Sequence, residues 1–141
     1  TALTPSSHEA LRWLCQATSD LQAAHNDIGH CCPNWVLFKV HQALEKALVA
    51  AALCYCEAFE CQGGLMGLAQ WLEVKDKELS GLVLDMQWLC NQGMDDKATQ
   101  YPNYHPFPMT PSEAFPNVDE EEVLRQAQKV LGTLKDHIDR K

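Results

Sequence analysis

The chain has 141 residues, 46% of them apolar, and a formal net charge of −8 with a sequence pI near 5.1. That length suits one domain, 1–141, able to bury roughly two-thirds of its unfolded surface, and the composition argues against disorder. The acidic balance argues against bulk binding of duplex DNA, which is driven by Lys and Arg displacing counterions, and no run approaches the ~18 continuous apolar residues of a membrane helix.

The opening segment TALTPSSHEALRW has neither a basic region nor an apolar core, so it does not read as a secretion signal. Seven cysteines are an odd number without framework spacing. Cys15, Cys54, Cys56 and Cys90 fall in helical, largely apolar stretches, where free Cys acts as a small hydrophobe. A reducing, cytoplasmic setting is the simpler expectation.

Helix one is expected from Thr4-Pro5 to about Ile28, with Thr4 as N-cap, Pro5 in the first turn, and Ser6 with Glu9 as a competing capping box. Ala10, Leu14, Ala17, Leu21, Ala24 and Ile28 make one core stripe, and Gly29 ends it. His30-Cys31-Cys32 is a connector short enough to make helices one and two antiparallel neighbours.

The second helix opens at Pro33, a good first helical position, and is expected to run to Gly63-Gly64. Val36, Val40, Ala43, Ala47, Ala50 and Cys54 line one face, with Leu37, Leu44, Leu48 and Tyr55 on the next. Only Lys39, Gln42, Glu45 and Lys46 interrupt this apolar arc, so the helix should be central, packed on most sides.

A short helix over Leu65–Leu72, anchored by Trp71, is expected next. After Lys75-Asp76-Lys77 comes another, to about Gln92, facing inward through Leu79, Leu82, Val83, Met86, Leu89 and Cys90. Five prolines between 94 and 117 forbid a regular helix or central strand there. Tyr101, Tyr104, Phe107 and Phe115 are expected to anchor this loop over the bundle. Asn117 is the expected cap of the last helix, with Glu120 as box partner and Val123, Ala127, Val130, Leu134 and Ile138 as its stripe. Lys135, His137, Arg140 and Lys141 complement its far end. The expected fold is all-α: an up-and-down bundle of four long helices and a short one, with a long Pro-rich loop before the last.

The run VHQALEKALVAAL at 40–52 resembles the central-helix signature Q-A-x-E-K-A-L of HEPN domains. LRWLCQATSDLQAA resembles that family's first helix, Tyr101-Pro102-Asn103 its Y-P-[DN] element, and EEEVLRQAQKVLGTLKDHI its closing helix. The resemblance covers almost the whole chain in the right order. It implies a two-fold dimer formed through helical faces, with a ligand cleft near the interface, and membership of a family divided between ribonucleases and non-catalytic nucleotide binders. It also implies that the chain is the terminal module of a very large, cytoplasmic, chaperone-like protein.

The family's nucleases carry an Arg and a His four to six residues apart. Beyond Arg12 at that spacing lie Ala17, Thr18 and Ser19; beyond Arg125 lie Val130, Leu131 and Gly132; Arg140 has one residue after it. The motif is absent, so the expectation is no enzyme and no required cofactor, with GTP or ATP as a ligand. Lys39, Gln42 and Lys46 share one helical face able to meet phosphates or a base edge. The plainer reading is a solvated strip; the resemblance favours the ligand, since Gln42 and Lys46 match motif positions. Tyr101 or Tyr104 would stack on a base, Lys97 or His105 would meet a phosphate, and Arg12 is a further cation. The alternative function is a pure dimerisation module with no physiological nucleotide. A third is a ribonuclease of unfamiliar design using His41 or His105. Zinc is disfavoured, because His30-Cys31-Cys32 and Cys54-x-Cys56-x4-Cys61 lack two-plus-two spacing. Gly63-Gly64-x-x-Gly67 follows a helix and lacks the Lys-Ser/Thr of a phosphate loop, so it reads as a helix stop.

Overall fold

A computed structural model describes residues 5–30, 32–55 and 64–140, and it is all-helical over them. The elements are α1 (Pro5–Asp27), α2 (Pro33–Ala52), α3 (Gly64–Lys75), α4 (Leu82–Asn91) and α5 (Glu120–Asp139), with short 3-10 turns at Lys77–Leu79, Pro102–Tyr104 and Pro111–Glu113. Thr4, Cys31, Cys56, Cys61, Gly63 and Lys141, each given a part in the sequence reading, lie outside the described residues.

Helix α2 is the central one. Val36, Leu37, Val40, Ala43, Leu44, Ala47, Leu48, Ala50 and Ala51 are all fully buried, and α1, α3 and α5 pack against it. Its alanines let neighbouring backbones approach closely while its leucines fill the space between them. The stripe Ala10, Leu14, Ala17, Leu21 and Ala24 seats α1 on this core, and Val123, Ala127, Val130, Leu134 and Ile138 seat α5.

Four details differ from the sequence expectation. First, α2 ends at Ala52, where the ladder tightens: Cys54 and Tyr55 donate their amides three residues back, to Ala51 and Ala52. Second, the helix expected over 78–92 is shorter. Gly81 adopts φ +92°, a left-handed conformation that breaks the chain between the 3-10 turn and α4. Among the described residues the bundle is the expected five-helix one, with α3 and α4 both shorter than α1, α2 and α5. Third, the cap of α5 is Asp119, whose carboxylate accepts from the Glu122 amide, while Asn117 is exposed two residues upstream. Fourth, Cys15 is exposed, on the outer side of α1, while Cys54 and Cys90 are half-buried.

The loop before α5 is pinned by fewer aromatics than expected. Phe115 packs on the core, with its ring against Gly93 and 5.8 Å from the His105 ring, and Met94, Thr99 and Pro111 are buried along the same loop. Tyr101 and Tyr104 are half exposed and Phe107 is 97% exposed. Polar bonds hold the loop instead: buried Asn34 at the start of α2 donates to the Thr99 carbonyl at 2.9 Å. Asp95 accepts from the amides of Lys97 and Ala98, and His105 Nε2 meets the Ala98 carbonyl.

Candidate functional site

The stripe Lys39, Gln42, Lys46 lies on one face of α2, but that face is turned towards α1. Lys39 Nζ sits 2.5 Å from Asp27 and Lys46 Nζ 2.6 Å from Asp20, so each ammonium is matched by a carboxylate of the neighbouring helix. The two pairs tie α1 to α2, with the Lys39 and Lys46 side chains still 37% and 27% exposed. Gln42 lies between the two pairs, half-buried.

Arg12 and Lys46 do come together. With Trp13 and Gln16 they line a groove of about 300 Å³ at the α1–α2 junction. Arg12 bonds Glu9 at 2.8 Å, and the Trp13 indole N–H donates to the same carboxylate at 3.0 Å. Those two bonds hold the Glu9 carboxyl below the usual glutamate range. Two cations, an aromatic ring and an amide thus meet there, but Glu9 and Asp20 match the two positive charges.

The loop candidates are elsewhere. The loop meets α2 through Asn34, Leu37 and His41, about 140° round the helix from the lysine stripe by the ~100° per-residue step. Lys97, Tyr101 and Tyr104 are exposed on that side, and His105 is held half-buried between Ala98 and the edge of the Phe115 ring. The expected single site therefore resolves into two separate surfaces, because α2 has a different neighbour on each side.

A family model described as HEPN domain matches residues 10–137. The chain belongs to the HEPN family. It is 36% identical to sacsin of Homo sapiens over 107 residues, which is 76% of this chain and 2% of that protein. In this HEPN domain the signature residues Gln42, Glu45 and Lys46 are divided between the two sides of α2: Lys46 turns to Asp20, while Glu45 lies 3.6 Å from His41 Nδ1.

Sequence reading missed a buried polar chain in this HEPN domain. His137, fully buried, places Nδ1 2.9 Å from the Asp76 carboxylate and Nε2 3.1 Å from the Tyr55 hydroxyl, with the two rings stacked. It ties α5 to the α3 end and to the exit of α2. The signal was available: His137 follows Val130 and Leu134 on the buried stripe, so a role at the exposed helix end did not fit its position. Trp71 completes this packing edge-on to Tyr55, 5.8 Å between ring centres.

Proposed function

We propose that this is a non-catalytic HEPN module that works by self-association. The observation that carries this reading is the loop from Tyr101 to Met109. It is held in place at its base, yet leaves Tyr101, Tyr104, Phe107 and Met109 exposed together. Scattered apolar side chains are ordinary on a surface, but several large ones exposed on one short loop whose base is held favour an interaction site, and HEPN domains tend to dimerise. In a parent protein such as sacsin, a dimerising terminal module would join two long chains within a chaperone-like assembly. The missing Arg–His motif supports the non-catalytic part, and the third reading, a ribonuclease built on His41 or His105, gains no support from a buried His41 and a carbonyl-bound His105. Light scattering tests the proposal: the wild type should weigh twice the 15.8 kDa chain mass, and Tyr104→Ser with Phe107→Ser should return it to the single-chain mass with its helical circular dichroism unchanged and its melting temperature no longer dependent on concentration. A wild type that stays monomeric at high concentration refutes it.

A second reading adds GTP or ATP as a regulatory ligand in the Arg12–Trp13–Gln16–Lys46 groove, favoured by the convergence of two cations beside an indole. Phosphates would have to compete with Glu9 and Asp20 for those cations, which predicts weak, salt-sensitive binding. Calorimetric titration with GTP and ATP at low salt, repeated on Arg12→Ala, tests it. Saturable heat lost in the variant supports the groove; no heat from the folded wild type leaves association alone.

A further inference from the structure

The side of α2 opposite the lysine stripe carries a second cleft. It has a volume of about 310 Å³ and is lined by His41 and Glu45 of α2, Leu65 and Met66 of α3, Cys90 of α4, and Met94, Asp95 and Asp96 of the following loop. Three carboxylates border it. Among the described residues none of them forms an ion pair with a lysine or arginine, because Lys39 and Lys46 point away to α1. His41 is 8% exposed, and its Nδ1 is buried without a hydrogen-bond partner. Glu45 Oε2 is 3.6 Å away, beyond hydrogen-bonding range. In the tautomer with the proton on Nε2, that nitrogen is an acceptor. The first turn of α3 sets only a partial positive charge against three full negative ones.

We propose that this cleft binds an organic cation carried on an alkyl stem: a guanidinium or primary ammonium, whether on a basic side chain of a partner segment or on a free polyamine. Each part of the lining has a place in that complex. Glu45 and Asp96 accept from the several N–H donors of the head group, for which a carboxylate is the natural partner, and His41 borders them in the wall of the cleft. Buried Leu65 and Met94 and half-buried Met66 receive the methylene stem, as apolar surface commonly does for Lys and Arg. Asp95 serves mainly through its charge, since its carboxylate is already engaged by the Lys97 and Ala98 amides. A bare metal ion fits less well: among the described residues no three His, Cys, Asp or Glu side chains converge on one point. The inference is independent of self-association and of the Arg12–Lys46 groove, which lies on the other side of α2.

The test is a titration of the full chain at pH 8, followed by amide and methyl NMR. The probes are agmatine, spermidine, an arginine-containing peptide and its citrulline counterpart. Saturable shifts confined to Leu65, Met66, Met94 and His41, weakened about two- to fivefold by Glu45→Gln and again by Asp96→Asn, support the proposal. A response to agmatine and spermidine identifies a free cation as sufficient; a response to the arginine peptide alone, absent with citrulline, assigns the cation to a partner segment. The proposal is overturned by no saturable shift with any probe, by shifts that both carboxylate variants leave unchanged, or by Zn²⁺ saturating the same resonances where the organic cations do not. Both variants alter side chains at the cleft rim, so a matching melting temperature for wild type and variants keeps the comparison valid.

Discussion

Breaking the Lys46–Asp20 pair should destabilise the bundle measurably, which a surface ion pair would not. The two groups are 2.6 Å apart and their side chains are only 27% and 19% exposed. Fully exposed pairs contribute about 0–1 kcal/mol, whereas removing one partner of a buried pair costs about 3–5 kcal/mol. This pair lies between those limits, so Asp20→Ala and Lys46→Ala should each cost about 1–2 kcal/mol. Unfolding entropy of ~2.1 cal/mol/K per residue gives about 0.3 kcal/mol/K for 141 residues, so each variant should melt about 3–7 °C lower. The double variant should lose less than the sum of the singles, with a coupling near 1 kcal/mol. Thermal and urea unfolding of the four proteins supply the cycle. A coupling below about 0.3 kcal/mol, with Lys46→Ala melting like the wild type, would refute the tie between α1 and α2 and return the lysine to the pool of free phosphate-binding cations.

Other consequences follow from particular atoms. Gly93 has φ +105°, and a Cβ there would come within 2.6 Å of the Phe115 ring; Gly93→Ala should cost about 1–3 kcal/mol and expose Phe115, seen as loss of stability in urea melts. Burial, aided by the Asp95 charge, pushes the Cys90 thiol up, so Cys90 should alkylate more slowly at pH 8 than exposed Cys15 and Cys32, as peptide mapping by mass spectrometry would reveal. At Asp95 burial raises the pKa, but the Ala98 and Lys97 amides outweigh it and the net shift is downward. A carboxyl depressed on folding contributes stability that is complete above the ordinary aspartate value. That stability is lost as pH falls from about 4 through the folded value, and Asp95→Asn should flatten this part of the stability–pH curve.

What the sequence revealed and what it hid have separate physical causes. The buried faces of α1, α2 and α5 were legible because periodic apolar residues have only one way to leave water. The partner of Lys39 and Lys46 was not, since the same stripe can face solvent, a ligand or a neighbouring helix carrying Asp20 and Asp27. Asp119 displaced Asn117 as cap because both are good caps and local propensity alone does not choose between them. The loop aromatics misled for a similar reason: Tyr101 and Phe107 have core-like composition, but Asn34, Asp95 and Thr99 supply the bonds that fix the backbone, leaving those rings outside. Where the lysine stripe and the loop residues sit relative to one another was not legible either, because it depends on which sides of α2 meet α1 and the loop.

The most direct test of the central claim is an isotope-filtered NOE experiment on an equal mixture of labelled and unlabelled chains. Contacts between copies should originate at Tyr104, Phe107 and Met109. Intermolecular contacts that avoid this loop, or none in a sample that sediments as a single 15.8 kDa chain, would contradict it.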